Sequence, residues 1–577
     1  MADKFIVVIG GVISGVGKGI ATASIGKILK EFGYNITAVK IDPYINYDAG
    51  TLRPTEHGEV WVTYDGGEVD QDLGNYERFL GMHLSRKNNI TTGQVYDKII
   101  KNERQGKYLG ETVQFIPHVP NEIIHRIKEA SKGNDICLIE IGGTVGDYEN
   151  IPFLFAMKSL EKQFSKDNVL YVLVTYMPIP SNIGEMKTKP TQQAIKQLNE
   201  HGIFPDIILC RGEKPLDAVR RKKIEIYANI ASQFVISAPD EKVLYAIPLN
   251  FEKEELGKKV LQKLKLPLKK TPNFSKWEKL VNVIKSPNRI IEIAMVGKYV
   301  NIGEFSLKDS YISVNQSLEH AGAHLDVGVN INWIEAEELE DYEKVNEMLL
   351  RYNGIVVPGG FGSTGIQGKI NAIRYARENN IPFLGLCYGL QLAVVEYARN
   401  VLMMKGANTT EVDKNTPFPV IDILESQKRL MAESNYGNTM RLGSYCAYID
   451  KNSYIFKYYK LLDRVRNIEE VRDYYRKDKN AEMRIGVVKP EESNTLVLER
   501  HRHRYEVNPN YIEKLESGGL TIAGYHRMKD GVKLVEFIEI EGHPYFAATQ
   551  AHPEFESNLE NPSPMFYGFV DSAKNVK

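Results

Sequence analysis

Short β-branched runs alternate along this chain with segments of helical period, and that alternation restricts the fold more than any other feature. "KFIVVIGG" runs into a glycine loop, and "GIATASIGKILKEFG" then carries apolar residues at helical spacing until Gly33. Further buried-strand candidates are "YNITAVKID", "DICLIEIGG", "NVLYVLVTY", "PDIILCR" and "KVLYAIP", separated by helical segments such as "NEIIHRIKEASK" and "TQQAIKQLNEHG". Strands fed by helices in this order build a parallel sheet covered by helices, an α/β fold. A second series, "RIIEIAMVGKY", "HLDVGVNINWIEA", "NGIVVPGGFG", "IPFLGLCYG" and "HPYFAATQAHPEF", predicts a second α/β domain. The 577 residues exceed what one core holds, about 250 to 300, so two domains are expected. Near 267–288 the chain is rich in proline and lysine and shows no strand pattern. An interdomain linker is placed there, between domains at 1–266 and 289–577. The tyrosine-rich, charged stretch at 450–480 is read as a solvated insertion.

Composition narrows the function classes. Lys plus Arg number 73 against 74 Asp plus Glu, so no global field points to nucleic acid or a membrane surface. Cys137, Cys210, Cys387 and Cys446 are too scattered for a disulfide framework or a C-x-x-C metal site. The opening apolar run is far shorter than a spanning helix, and a cytoplasmic protein is expected.

"GGVISGVGKGI" is a deviant phosphate loop. The rule G-x-x-x-x-G-K-[ST] asks for glycine at Val12 and a hydroxyl at Gly19, and neither is present. Its glycines still let backbone N–H groups approach phosphates, with Lys18 supplying charge. Without the hydroxyl, Mg2+ needs other ligands. Asp70 and Asp72 in "EVDQDLGNYERF" share a face if that segment is extended, and Glu140 ends a buried strand, so one acid from each segment is a candidate ligand. Lys187, Lys189 and Gln192 in "EMKTKPTQQA", at a predicted helix start, form a candidate triphosphate grip, and Lys223 is a further candidate cation.

The second half carries a nucleophile signature. Cys387 in "IPFLGLCYGLQLAVVEYAR" lies at a strand-to-helix elbow, while "ATQAHPEF" offers His552 as base and Glu554 to orient it. Gly359 and Gly360 in "VVPGGFG" allow backbone to approach an oxyanion. These residues suit attack of a thiolate on a carboxamide, with release of ammonia.

With those residues in place, "GLCYGLQ" and "AHPEF" resemble class I glutamine amidotransferases, and the first half resembles the synthetase domain of the cytidine triphosphate synthase family. "KIDPYINYDAGT", "HGEVWVTYDGGEVDQDLGNYERF", "GKYLGETVQFIPHVP", "EIGGTVGDYEN", "KTKPTQ", "ANTTEVD", "TMRLG" and "ERHRHRYEVN" extend the resemblance over nearly the whole chain. It implies a P-loop-like synthetase domain and a flavodoxin-like glutaminase domain. The implied reaction phosphorylates UTP with ATP on the uracil 4-oxygen and displaces the phosphate with ammonia, giving CTP. By resemblance, Mg2+ is held by Asp72 and Glu140; Gly15, Val16, Gly17, Lys18, Gly19, Ile20, Lys40 and Asp72 serve ATP; Ser14 meets the pyrimidine nucleotide. Lys187, Thr188, Lys189, Pro190, Thr191, Gln192 and Lys223 correspond to the UTP site, and Asp147, Tyr148 and Glu149 to the segment that binds inhibitory CTP. Gly360, Tyr388, Gly389, Leu390, Gln391, Glu411 and Arg504 match glutamine-binding positions, and His57 matches a residue of the ammonia passage. The resemblance also implies a homotetramer, with nucleotide sites built between subunits, and GTP as activator; filaments are a further expectation. Thr364 stands where the family has an arginine serving the GTP response, so that response is expected to be weakened. The insertion before "ERHRHRY" is roughly thirty residues longer than in shorter members.

Two alternatives stand beside this reading. One is another ATP-dependent amidotransferase with the same pair of domains, such as the cobyrinic acid amidating type, from which the "KTKPTQ" lysines separate it. The other is a catalytically silent, filament-forming scaffold, against which the intact Cys387, His552 and Glu554 argue.

Overall fold

The computed structural model describes residues 2–53, 57–182, 184–297, 301–302, 305–306, 308–360, 362, 364–423 and 440–576. Parts of three quoted motifs therefore lie outside the described residues: Lys298 and Tyr299, Phe361, and Thr439. The chain forms two compact units, one of residues 1–52 and 68–281, the other of 53–67 and 282–577.

The first unit is a seven-stranded parallel sheet. In chain order its elements are β1 (Lys4–Gly10), α1 (Lys18–Glu31), β2 (Ile36–Asp42), α2 (Gln71–Leu80), β3 (Asn89–Thr91), α3 (Thr92–Arg104), α4 (Phe115–Ala130) and β4 (Ile136–Ile141). They continue with α5 (Ile151–Phe164), β5 (Val169–Tyr176), α6 (Lys189–Glu200), β6 (Ile207–Gly212), α7 (Ala218–Ala228) and β7 (Val235–Pro239). The order across the sheet is β3-β2-β4-β1-β5-β6-β7, and every pairing is parallel. Nearly every residue of β1, β2, β4 and β5 is buried, which is why these strands read as continuous apolar runs and not as alternating ones.

Two expectations are corrected here. "KVLYAIP" is not a strand: Leu244–Ala246 form a 3-10 turn leading into α8 (Ile247–Lys253), and the last strand is β7, "VISAP". The proline in that run sits at the start of the helix, where its missing N–H costs nothing. Asp70 and Asp72 do not lie on an extended segment either; Asp70 caps α2, accepting from the Asp72 N–H at 2.9 Å, and Asp72 occupies the first turn. Within 267–288 the chain forms α9 (Ser275–Lys285), whose Trp277, Leu280 and Val281 are buried, with the Trp277 ring against Phe79 and Tyr245.

The second unit has a nine-stranded sheet. Its elements are β8 (Arg289–Gly297), α10 (Ile312–Leu325), β9 (Val327–Glu335), β10 (Gly354–Val357), α11 (Ile366–Glu378), β11 (Phe383–Leu386) and α12 (Tyr388–Asn400). They are followed by β12 (Arg441–Ile449), α13 (Tyr454–Leu461), α14 (Ile468–Tyr474), α15 (Ala481–Ile485), β13 (Leu496–His503), β14 (Leu520–Arg527), β15 (Lys533–Ile540) and β16 (Phe546–Thr549). The order is β9-β8-β10-β11-β16-β15-β14-β12-β13. The first five strands are parallel, and the remaining four extend the sheet antiparallel.

The stretch at 450–480 is packed, not solvated. Ile455, Tyr459, Val471 and Tyr475 are buried, the Tyr459 hydroxyl donates to Glu499 at 2.6 Å, and Tyr475 donates to Ser444 at 3.0 Å. Its charged residues occupy the outer faces of two short helices, α13 and α14, while Tyr459 and Tyr475 reach inward, so net polarity disguised a half-buried layer.

Candidate functional site

In the first unit, β1 ends at Gly10 and the chain turns into α1 with Gly15 and Gly17 at positive φ. Ser14 and Gly15 are exposed at the tip of the turn, and Val16 is buried. The buried Lys18 ammonium donates to the Gly143 carbonyl at 2.7 Å. Burial holds its pKa below the ordinary lysine value, against the pull of Glu140 and Asp72.

The geometry accounts for the missing hydroxyl. A Cβ on Gly19 would lie 2.0 Å from Asp72 Oδ1, so the carboxylate occupies the space in which a Ser or Thr side chain would stand. Asp72 and Glu140 both accept from Lys40 Nζ, the latter at 3.1 Å, while Asp42 and Asp70 lie 3.8 Å from the same nitrogen. Tyr76 donates to the other Glu140 oxygen. Burial works to lower the Lys40 pKa, but the four carboxylates outweigh it and keep the ammonium charged. Burial, with Asp72 second, pushes Glu140 up to about 7. Two buried acids, Asp42 and Glu140, and two half-buried ones, Asp70 and Asp72, thus crowd one central lysine and Lys18, a surplus of carboxylates in which burial, with Asp70 second, also pushes Asp42 up to about 8.

That surplus fits a divalent cation bound by one or two carboxylates and completed by phosphate oxygens. Among the described residues no group of three or more His, Cys, Asp or Glu is arranged to hold a metal alone.

Beside the loop, Gly17 and Ile20 line a cleft with Arg211, Ala238, Pro239 and Asp240. Arg211 donates to Val16 O at 3.0 Å and to Asp240 at 2.5 Å, tying the glycine turn to the end of β7. Sequence reasoning did not single out Arg211 or Asp240. Their strand-end positions were the available signal.

The lysine cluster sits at the start of α6. Lys189 and Pro190 open the helix, Gln192 donates to Thr188 at 3.2 Å, and Thr191 is buried against Thr175. Lys187 pairs with Glu185 at 3.0 Å, and Lys223 projects from α7, exposed. Asp147 accepts from the Thr144 hydroxyl at 2.8 Å, and Tyr148 and Glu149 are exposed in the turn before α5.

In the second unit Cys387 follows β11 with φ 51° and ψ −98°, and α12 starts at the next residue. A non-glycine residue held there costs about 1–3 kcal/mol. Its N–H is anchored on Thr549 O at 2.7 Å, at the end of the neighbouring strand β16. His552 lies three residues past β16, and its Nδ1 is 2.7 Å from Glu554 Oε1. Nε2 makes no hydrogen bond. Burial alone would lower the imidazole pKa, but Glu554 and then Cys387 raise it to about 10. A Cβ on Gly359 would lie 2.9 Å from His552 Cε1 and 3.7 Å from Cys387 Cβ, so glycine leaves the space between base and nucleophile open to a substrate.

Around this centre, Tyr388 donates to Gly362 O at 3.0 Å, and Glu411 accepts from the Gly362 N–H at 3.0 Å; together they hold the turn that carries Gly360. Gly389 and Leu390 are buried in the first turn of α12, where only their backbone can serve a ligand. Gln391 donates to Tyr505 O at 3.1 Å, next to the half-buried Arg504. Gln550, overlooked in the sequence, aims Nε2 at Cys387 Sγ from 3.7 Å. Thr364 and His57 are exposed. "ERHRHR" is no basic surface: Arg500, His501 and His503 are buried in β13, with Arg500 paired to Glu556 at 2.7 Å.

Comparison with known proteins agrees with both halves. The pattern described as CTP synthase N-terminus matches residues 4–266, and that described as glutamine amidotransferase class-I matches residues 306–572. A CTP synthase of Methanocaldococcus jannaschii is 48% identical over 580 residues, covering 100% of this chain and 99% of the relative. One from Pyrococcus furiosus is 48% identical over 574 residues, covering 100% and 98%. The solved Trypanosoma brucei CTPS glutaminase domain with bound acivicin is 34% identical, covers 50% of this chain and 95% of its own, and superposes with a TM-score of 0.41. A glycine turn backed by buried acids, a cysteine elbow beside a histidine–glutamate pair, and near-half identity from end to end converge: the chain belongs to the CTP synthase family.

Proposed function

We propose that the chain aminates UTP to CTP at the expense of ATP, with nitrogen drawn from glutamine. The observation that carries this reading is the presence of both reaction centres, Cys387 with His552 and Glu554 in one unit and Asp72 with Glu140 beneath the Lys18 turn in the other, in a chain matching CTP synthases throughout its length.

In the glutaminase unit, His552 takes the Cys387 proton and the sulfur attacks the carboxamide carbon. Backbone N–H groups near Gly360 and at the start of α12 receive the oxyanion. His552, held protonated by Glu554, then gives the proton to departing ammonia, and water cleaves the thioester to glutamate.

In the synthetase unit, Lys18 and the N–H groups of residues 15–20 hold the ATP phosphates, and the apolar cleft beside Arg211 and Asp240 accepts the base. Asp72 and Glu140 hold Mg2+, which when bound neutralises phosphate charge. Ser14, residues 187–192 and Lys223 receive UTP. Its 4-oxygen is phosphorylated, and ammonia arriving along a passage that includes His57 displaces the phosphate. CTP inhibits through residues 147–149, GTP activation is weakened by Thr364, and the protein is a cytoplasmic homotetramer capable of forming filaments. Among the described residues no helix is long and apolar enough to cross a membrane.

The test is CTP formation from UTP, ATP and Mg2+ with either ammonia or glutamine, for wild type and Cys387→Ala. Wild type is expected to use both sources and the variant only ammonia. A folded wild type that makes no CTP from either would overturn the reading.

A further inference from the structure

The segment 53–67 comes from the first half of the chain yet belongs to the glutaminase unit. Its Trp61 is fully buried, with its ring 4.8 Å from that of Phe555. Phe555 in turn stacks on the His552 imidazole, centroids 5.3 Å apart and planes within 17°. The Arg500 guanidinium also lies over the Trp61 ring, 5.3 Å from the indole centroid. Arg500 also donates to Val62 O at 2.9 Å and to Glu556 at 2.7 Å, and its own carbonyl accepts from the His552 N–H at 2.7 Å. Arg500, Trp61, Phe555 and His552 therefore form one continuous run of contacts, in which Phe555 stacks on His552 and Trp61 meets Phe555 at a tilt of 59°, and Arg500 ties that run back to the backbone of His552.

Glu554 fixes one nitrogen of His552, but a single hydrogen bond leaves the ring free to rock about that contact. The Phe555 face removes this freedom, and Phe555 is itself held by Trp61. Angular error at a general base is costly, since small misplacements transmitted from outside a site can lower rates by about 10²-fold.

We propose that Trp61 is a positioning residue for glutamine hydrolysis, setting the plane of His552 through Phe555. The proposal rests on the reading of His552 as the base that serves Cys387. It assigns to a residue from the synthetase half of the sequence a role in the chemistry of the other half.

The test uses the full chain. Trp61→Leu keeps apolar bulk without a ring face, and Trp61→Phe restores a face. For Trp61→Leu the expected results are a fall of about tenfold or more in glutaminase kcat, a KM within about threefold of wild type, and ammonia-driven CTP formation within about twofold. Trp61→Phe is expected to recover kcat to within about threefold. Equal losses in the two variants, a Trp61→Leu kcat within about twofold of wild type, or a parallel loss of ammonia-driven synthesis would each overturn the proposal. Cys387→Ala is run beside them. Undiminished glutaminase in that variant would show that Cys387 is not the nucleophile His552 was read as serving, a failure distinct from that of the Trp61–Phe555 contact.

Discussion

Gly19 shows how one residue redistributes a metal site. Serine there would restore the common phosphate-loop pattern, but its side chain would begin 2.0 Å from Asp72 Oδ1, so Asp72 would be driven from its place beside Lys40. Gly19→Ser is therefore expected to lower ammonia-driven CTP formation by about 10²-fold or more, while a glutamine-mimicking electrophile still labels Cys387. At the other centre, Glu554 supplies the main pull that raises His552 to about 10. Glu554→Gln should bring the imidazole pKa down, seen by NMR titration, and cut glutaminase kcat by about 10²- to 10⁴-fold. The roles given to Cys387, His552 and Glu554 could be argued from sequence because each stands in a short motif that fixes its backbone setting. Arg211 and Asp240 could not, because only the adjacency of β6 and β7 brings them within 2.5 Å. Gln550 was hidden in a quoted motif, its amide acquiring meaning only once β11 and β16 pair.

At the scale of elements, the long buried parallel strands were legible, while the short parallel edge strands β3 and β7 and the antiparallel β12 to β15 were not. β1, β2, β4 and β5 are buried on both faces and read as unbroken apolar runs. β13 buries arginine and two histidines against charged partners, so its sequence looks like a surface patch. Such pairing makes this layer sensitive to acid. His526 on β14 is buried, with Nδ1 2.7 Å from Cys446 O on β12, and burial, with Arg441 second, pushes its pKa down to about 3. Between pH 6.5 and 3 the unfolded chain binds a proton at this position that the folded chain does not, so its contribution to stability is lost as pH falls below about 6.5. Glutamine has no such proton to bind. On moving from pH 7.5 to 5, His526→Gln is expected to lose about 2 kcal/mol less stability than wild type, measured by denaturant unfolding at both pH values. Equal losses would mean that His526 titrates alike in both states.

At the scale of the whole molecule, the described surface of the first unit leaves apolar side chains in water where helices α3, α4 and α5 pack on one another. Ile100, Phe115, Ile116, Ile151 and Phe155 are exposed there, and Leu109 and Tyr148 stand in the adjoining turns. Single exposed apolar residues are ordinary, whereas several on neighbouring helices form the kind of face that association covers. Removing each large side chain from water is worth about 1.5–3 kcal/mol, so a few of them, repeated in each protomer, can hold a symmetric assembly together. Tyr148 and Glu149 lie in the turn that opens α5, so the same face borders the residues proposed to bind CTP. Assembly and nucleotide binding are therefore expected to fail together. Phe155→Asp places a charge on that face at a side chain that already meets solvent, which spares the core of the unit. By sedimentation velocity the wild type is expected to run as a tetramer and the variant as a smaller species. The variant should also lose ammonia-driven CTP formation while Cys387 remains reactive toward the glutamine-mimicking electrophile. A variant that sediments as wild type would take Phe155 out of the contact. One that dissociates yet makes CTP at the wild-type rate would show that each synthetase site is complete within a single chain.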